Sequence, residues 1–142
     1  MTESVRGSCF CGAVEVELSG EPMFQGYCHC EDCRRWSGAP MTGFTIWPAD
    51  SVRVTAGEDR LVGYSHVGKA NRRHCATCGG SVMTDLPEAG LVDVYPPLLE
   101  GFAFAPAFHL HYGERALDLP DDLPKFRDMP EEAGGSGEMI AD

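Results

Sequence analysis

Seven cysteines fall into three groups with metal-ligand spacing. They are Cys9-Phe10-Cys11, Cys28-His29-Cys30-Glu31-Asp32-Cys33 and Cys75-Ala76-Thr77-Cys78-Gly79-Gly80. Thiolates are soft ligands, and two short-spaced pairs far apart in sequence suit a tetrahedral four-thiolate zinc. The last group is a knuckle, whose glycines let backbone N–H groups approach the sulfurs. Pairing Cys9 and Cys11 with Cys75 and Cys78 closes one such site and leaves Cys28, Cys30 and Cys33. Structural zinc takes four protein ligands, whereas catalytic zinc typically takes three and keeps a position for water or substrate. The spacing therefore predicts a closed structural ion and an open, reactive one. Competing readings are free buried cysteines or disulfides for the first cluster, and redox-active or merely buried thiols for the second.

Charges and imidazoles flank these groups. Arg34 and Arg35 follow the open cluster, and Arg72 and Arg73 precede the knuckle. One reading makes Arg34 and Arg35 the binders of a small anionic thiol's carboxylates. The plainer reading for any single arginine is compensation for the negative charge of a thiolate–zinc site. His29, set between two proposed ligands, reads as a packed or ligand-supporting residue before a general acid or base. His109 and His111 alternate on one expected strand, where a core or surface role is the simpler assignment. His74 is a spare ligand that Cys9 and Cys11 make unnecessary, and Asp32 reads first as a helix-start residue. Trp36, Phe44 and Trp47 read as core or pocket wall.

The elements that must position these residues are mainly short strands. Ala13 to Leu18 alternates Val14, Val16 and Leu18 with Glu15 and Glu17, the pattern of a half-buried strand. Similar segments are Thr42–Trp47, Ser51–Thr55, Leu61–His66, Ser81–Thr84, Leu91–Tyr95 and Phe108–Tyr112, punctuated by Gly and Pro. One short helix is expected at Glu31–Ser37, stopped by Gly38 and Pro40. The class is mostly β, over a domain spanning residues 1–130. Residues 131–142, acidic and Gly-rich, are expected to form a flexible tail.

Composition narrows the function. Eleven basic against 22 acidic residues leave a net charge of −11, and the segment 118–142 carries more than half of it. A general nucleic-acid binder needs the opposite excess, so nucleic acid is not an expected partner. No stretch approaches the roughly 18 to 20 apolar residues of a membrane span. Residues 1–8 hold no apolar run, so no secretory signal is expected. Clustered cysteines without export point to a reducing, cytoplasmic setting.

Taken together, Cys9-Phe10-Cys11-Gly12, the run from Cys28 to Ala39 (CHCEDCRRWSGA), and Arg73-His74-Cys75-Ala76-Thr77-Cys78-Gly79 resemble the glutathione-dependent formaldehyde-activating enzyme family, which includes the centromere protein V group. His109 and the later segment from Asp118 to Phe126 (DLPDDLPKF) extend the likeness over about residues 5–130. The resemblance implies a single-domain, zinc-containing β-tent fold with short helical turns. It implies a structural zinc on Cys9, Cys11, Cys75 and Cys78, and a catalytic zinc on Cys28, Cys30 and Cys33. The implied activity is that of a carbon–sulfur lyase, joining glutathione or a similar thiol to formaldehyde or a related small electrophile. The chain departs from the family at Glu114-Arg115-Ala116-Leu117, where an aromatic residue is common. The rival expectation is a noncatalytic zinc-binding, partner-recognition module on the same scaffold. Methionine sulfoxide reduction is set aside, because no cysteine stands in the Arg-x-Cys-x-Asn setting it needs.

Overall fold

The structure, a computed structural model, describes residues 4–66 and 70–141, with backbone alone at His66. Among the described residues are ten strands and one α-helix, so the chain is mostly β. In chain order the strands are β1 (Ser4–Ser8), β2 (Glu15–Ser19), β3 (Phe24–Cys28), β4 (Thr42–Pro48), β5 (Val52–Ala56), β6 (Leu61–His66), β7 (Ala70–Cys75), β8 (Ser81–Leu86), β9 (Leu91–Val94) and β10 (His109–Leu110). Helix α1 spans Glu31–Ser37, as its Gly38 stop predicts. The residues divide into two compact units, Met1–Phe24 with Thr45–Phe104, and Gln25–Phe44 with Ala105–Asp142.

In the first unit, β1, β2 and β5 form an antiparallel sheet whose register sets Val5 opposite Leu18 and Val16 opposite Val54. The alternation read from the sequence decides which face is covered: Val14, Val16 and Leu18 are buried. They pack in one apolar cluster with Trp47, Val82, Met83, Val92, Val94 and Leu99, and with the cysteines Cys9 and Cys75. A second antiparallel array runs from the end of β4 through β9, β8 and β7 to β6. The buried Trp47 indole N–H donates to the Thr45 hydroxyl at 2.8 Å, and that hydroxyl donates to the Val94 carbonyl. The polar edge of the ring is thereby satisfied inside the core.

In the second unit β3 and β10 pair in parallel, with Tyr27 opposite His109 and Cys28 opposite Leu110. Phe108 stacks on Phe44 and meets Phe126 edge-on, each at 6.1 Å between centroids. The segment after β10 folds back beside it through bridges His109–Lys125 and Phe126–Met139. Within residues 131–141, expected to be flexible, Glu131–Ala133 forms a 3-10 turn, and the Ile140 N–H donates to the Lys125 carbonyl at 2.8 Å. The Asp128 carboxylate accepts from the Ser136 N–H and hydroxyl, both at 2.9 Å.

Three strands escaped the sequence reading, and one shrank. β1, β3 and β7 carry glycine or charged residues and no clean two-residue alternation. The strand expected over Phe108–Tyr112 is limited to His109–Leu110. His111 turns into the left-handed region at φ 53°, and Tyr112–Glu114 winds into a 3-10 turn. His109 and His111 therefore do not share a strand face. No helix among the described residues is long and apolar enough to cross a membrane.

Candidate metal centres

Four sulfurs meet in the first unit. The chain turns sharply after β1, with the Gly12 N–H donating to the Cys9 carbonyl at 3.0 Å, which returns Cys11 toward Cys9. At the end of β7 the Gly79 N–H bonds the Cys75 carbonyl at 2.7 Å, and Gly79 adopts φ +78°, open to glycine without strain. The Sγ atoms of Cys9, Cys11, Cys75 and Cys78 all lie within 4.8 Å of one another. Two of the separations are 3.7 Å, Cys9 to Cys11, and 3.9 Å, Cys11 to Cys75. A tetrahedron of sulfurs about 2.3 Å from a central zinc has edges of about 3.8 Å. A disulfide needs about 2.05 Å, so these cysteines are thiols.

Backbone N–H groups support the charge such a site carries. Burial works to raise the Cys9 thiol, but the Val14 N–H at 3.3 Å and the neighbouring sulfurs outweigh it and bring Cys9 down to about 6. The Gly80 N–H, 3.4 Å from its sulfur, lowers Cys78 likewise. This is the amide approach that the knuckle's glycines predicted.

Three sulfurs meet in the second unit. Cys28 closes β3, and Cys30 caps α1, its sulfur accepting the Cys33 N–H at 3.2 Å. The first turn of α1 then carries the Cys33 sulfur to 3.5 Å from that of Cys28. All three sulfurs lie within 4.8 Å of one another, and no fourth His, Cys, Asp or Glu atom among the described residues joins them. The neighbouring sulfurs, and then burial, push the Cys28 thiol well above the usual range, so three crowded sulfurs without a cation resist becoming anionic together. Both donor sets fit zinc, one with four protein ligands and one with three.

The flanking residues differ in what they touch. The Arg34 Nε donates to the His29 carbonyl at 3.0 Å and its Nη2 to the Glu114 carbonyl at 2.8 Å, tying α1 to the Tyr112–Glu114 turn. Arg35 is well exposed and pairs with Glu31 one helical turn back at 3.3 Å. Asp32 is exposed in the first turn of α1, and His74 lies outside the four-sulfur set. His111 pairs with Glu114 at 3.2 Å.

His29 and His109, left in bland roles by the sequence reading, are both buried and joined Nε2 to Nδ1 at 2.8 Å. The His109 Nε2 continues to Asp121 Oδ2 at 2.8 Å, and Asp121 Oδ1 accepts from the buried Lys125 at 2.9 Å. Burial, then the neighbouring His109 and the charges of Arg115 and Arg34, lower His29 to about 4. Burial acts to raise Asp121, but hydrogen bonds from Lys125, His109 and the Leu123 N–H hold it at about 2. Asp121 and Lys125 entered the sequence reading as part of a family likeness and not as site residues. The signal for them was a lone lysine following an Asp-Pro-rich turn.

A cavity of about 350 Å³ in the first unit is lined by Arg6, Glu15, Glu17, Arg53, Thr55 and Glu100 and contains no cysteine. Both of its arginines pair with Glu17, at 3.6 and 2.6 Å.

The sequence profile of the glutathione-dependent formaldehyde-activating enzyme family matches residues 4–111, which hold all seven cysteines. The chain belongs to that family. Curated relatives bearing the family's designation come from Fusarium vanettenii, 30% identical over 98 residues, and Talaromyces marneffei, 28% identical over 96 residues. Those alignments cover 66% and 63% of this chain, but 53% and 51% of the relatives. The chain thus spans about half the length of the curated relatives it matches. A crystal structure of a Rhodobacter sphaeroides protein is similar at a TM-score of 0.58 and 27% identity, over 69% of this chain and 90% of that one.

Proposed function

We propose that this family member is a zinc-dependent carbon–sulfur lyase acting on the adduct of a glutathione-like thiol with an aldehyde or related small electrophile. The observation that carries the reading is the pair of cysteine clusters, one with four sulfurs and one with three. In this reading Cys9, Cys11, Cys75 and Cys78 hold a structural zinc, and Cys28, Cys30 and Cys33 hold a catalytic one. When bound by three thiolates, zinc supplies a Lewis-acid position for a thiolate sulfur or an aldehyde oxygen. In the synthetic direction a sulfur–carbon bond forms at the carbonyl carbon, and the thiol's proton ends on the carbonyl oxygen. The reverse breaks that bond and returns thiol and aldehyde, with no change of oxidation state.

The chain's own contribution is positioning. The Cys33 N–H holds the Cys30 sulfur, and Arg34 fixes the helix that carries Cys33 through the His29 and Glu114 carbonyls. With those donors of Arg34 engaged, exposed Arg35 is the better placed of the two for a thiol cosubstrate's carboxylates. The reduced cysteines suit a cytoplasmic setting, with small molecules rather than nucleic acid or membrane as partners.

The second reading is a noncatalytic zinc module on the same scaffold, which the two cysteine clusters would serve equally well. Exchange NMR between glutathione and its hydroxymethyl adduct separates the two. Catalysis predicts exchange above the uncatalysed rate, lost on Cys30→Ser while the fold persists. An exchange rate unchanged by zinc-loaded protein refutes the lyase and leaves the binding module.

A further inference from the structure

Helix α1 carries two of the three clustered sulfurs, Cys30 as its cap and Cys33 in its first turn, yet it has seven residues and buries none of them fully. A helix so short does not persist alone in water and must be held by tertiary contacts. Two of the bonds that hold it converge on Glu114. The Glu31 N–H, a first-turn donor with no partner inside the helix, donates to Glu114 Oε1 at 3.1 Å. Arg34 Nη2 donates to the Glu114 carbonyl at 2.8 Å. Glu31 follows Cys30 and Arg34 follows Cys33, so the residue after each helical sulfur is tied to Glu114.

The third sulfur is held by the segment that leads to the same turn. Cys28 stands opposite Leu110 in the β3–β10 pair, and the His29 N–H donates to the Leu110 carbonyl at 3.0 Å. From Leu110 to Glu114 the chain is pinned. Tyr112 is fully buried, its N–H donates to the Phe126 carbonyl at 2.9 Å, and the Gly113 N–H donates to the Arg127 carbonyl at 3.1 Å. His111 turns the chain at φ 53°, uncommon outside glycine, and its Nδ1 lies 3.2 Å from Glu114 Oε2. Both carboxylate oxygens of Glu114 are thus engaged, one by α1 and one by its own turn.

Resting on the assignment of Cys28, Cys30 and Cys33 to a zinc site, we propose that Glu114 is a positioning residue for that site, setting α1 against β3 so that the three sulfurs are gathered before an ion binds. It touches neither metal nor substrate. Its effect passes through the backbone of Glu31 and the side chain of Arg34.

The test is zinc transfer from fully loaded protein to the chelator pyridylazoresorcinol, which should give one phase per site. Cys30→Ser/Cys33→Ser identifies the phase of the three-cysteine site by losing it. Glu114→Ala should speed that phase roughly 10-fold and leave the other unchanged. Glu114→Gln, which keeps an oxygen for the Glu31 N–H, should restore the native rate to within about threefold. In cobalt-substituted protein, the bands of the three-cysteine site should move in Glu114→Ala and stay in place in Glu114→Gln. An unchanged rate in Glu114→Ala, two phases that quicken together, or a Glu114→Gln as fast as Glu114→Ala overturns the proposal. Where the variants fold poorly, the native protein decides: a Glu31 amide that exchanges with solvent as fast as in an unstructured peptide also overturns it.

These readouts need no turnover, so the two readings fail separately. A second zinc whose release depends on Glu114, in a protein that does not exchange the adduct, sinks the lyase reading alone. An active protein that releases this zinc equally fast without the Glu114 carboxylate sinks the positioning role alone. A three-cysteine cluster that takes up no zinc overturns both.

Discussion

Removing each metal centre should cost stability in proportion to the chain it ties together. The four-sulfur site joins Cys11 to Cys75, 64 positions apart, whereas in the three-sulfur site Cys28 and Cys33 are only five positions apart. A cross-link stabilises by removing loop-closure entropy from the unfolded chain, which is worth about 4 kcal/mol for the longer loop and about 2 kcal/mol for the shorter. The double variants Cys11→Ser/Cys78→Ser and Cys30→Ser/Cys33→Ser each leave too few thiolates to hold an ion. Serine is close in size, Cys11 is exposed and Cys78 half-buried, so neither change opens a cavity. At position 30 a serine oxygen still caps α1. Scanning calorimetry with zinc analysis should show one zinc lost from each variant. Tm should fall by about 15 °C for the first and about 8 °C for the second. Equal shifts, or the larger fall in Cys30→Ser/Cys33→Ser, would refute the assignment of the four-sulfur site as the structural one.

Other perturbations follow from the same contacts. Elemental analysis of protein purified without chelator or added metal should give about two zincs per chain and few reactive thiols; one zinc with three reactive thiols would leave the four-cysteine site alone as a metal centre. Trp47→Phe removes the indole donor from the Thr45 hydroxyl and should cost about 1 kcal/mol, read as a lower urea midpoint at unchanged m. Gly26→Ala sets a Cβ 2.5 Å from the Phe108 carbonyl oxygen and 2.7 Å from its ring, where β3 meets the segment leading into β10. It should lower stability by about 1–3 kcal/mol and weaken retention of the second zinc, measured by Tm and metal content. The Asp121 carboxyl, held at about 2, lies below its unfolded value, so its stabilising share is complete above about pH 4 and lost as pH falls toward 2. Thermal scans of the native protein and Asp121→Asn should therefore converge at the acid end, and parallel curves from pH 2 to 6 would contradict the ion pair.

The residues show why part of this was legible in one dimension. Metal-ligand spacing is local chemistry: Cys9 and Cys11, Cys75 and Cys78, and Cys28 through Cys33 are each grouped within a few residues. The two clusters in the structure are the two that spacing predicted. Helix α1 begins and ends where its neighbours dictate, between the Cys30 cap and Gly38 in the left-handed region. β2 was readable because one face is covered and the other is acidic. β3 and β7 were not, because FQGYC and ANRRHC are strands through their pairing partners rather than through their own alternation.

The partners of the polar side chains lie beyond such local reasoning. From its place beside Cys33, Arg34 reads as a binder of ligand carboxylates or as compensation for thiolate charge, and neither reading shows that it reaches a carbonyl 80 residues away. His109 reads as an isolated histidine, yet it bonds His29 across 80 residues and Asp121 across 12. Sequence alone determined which atoms are able to hold metal, because thiol chemistry and short spacing reside in the residues themselves. Tertiary structure decided which imidazoles and carboxylate meet and which arginine is already engaged, because hydrogen bonds depend on distances of about 3 Å that only the folded chain sets.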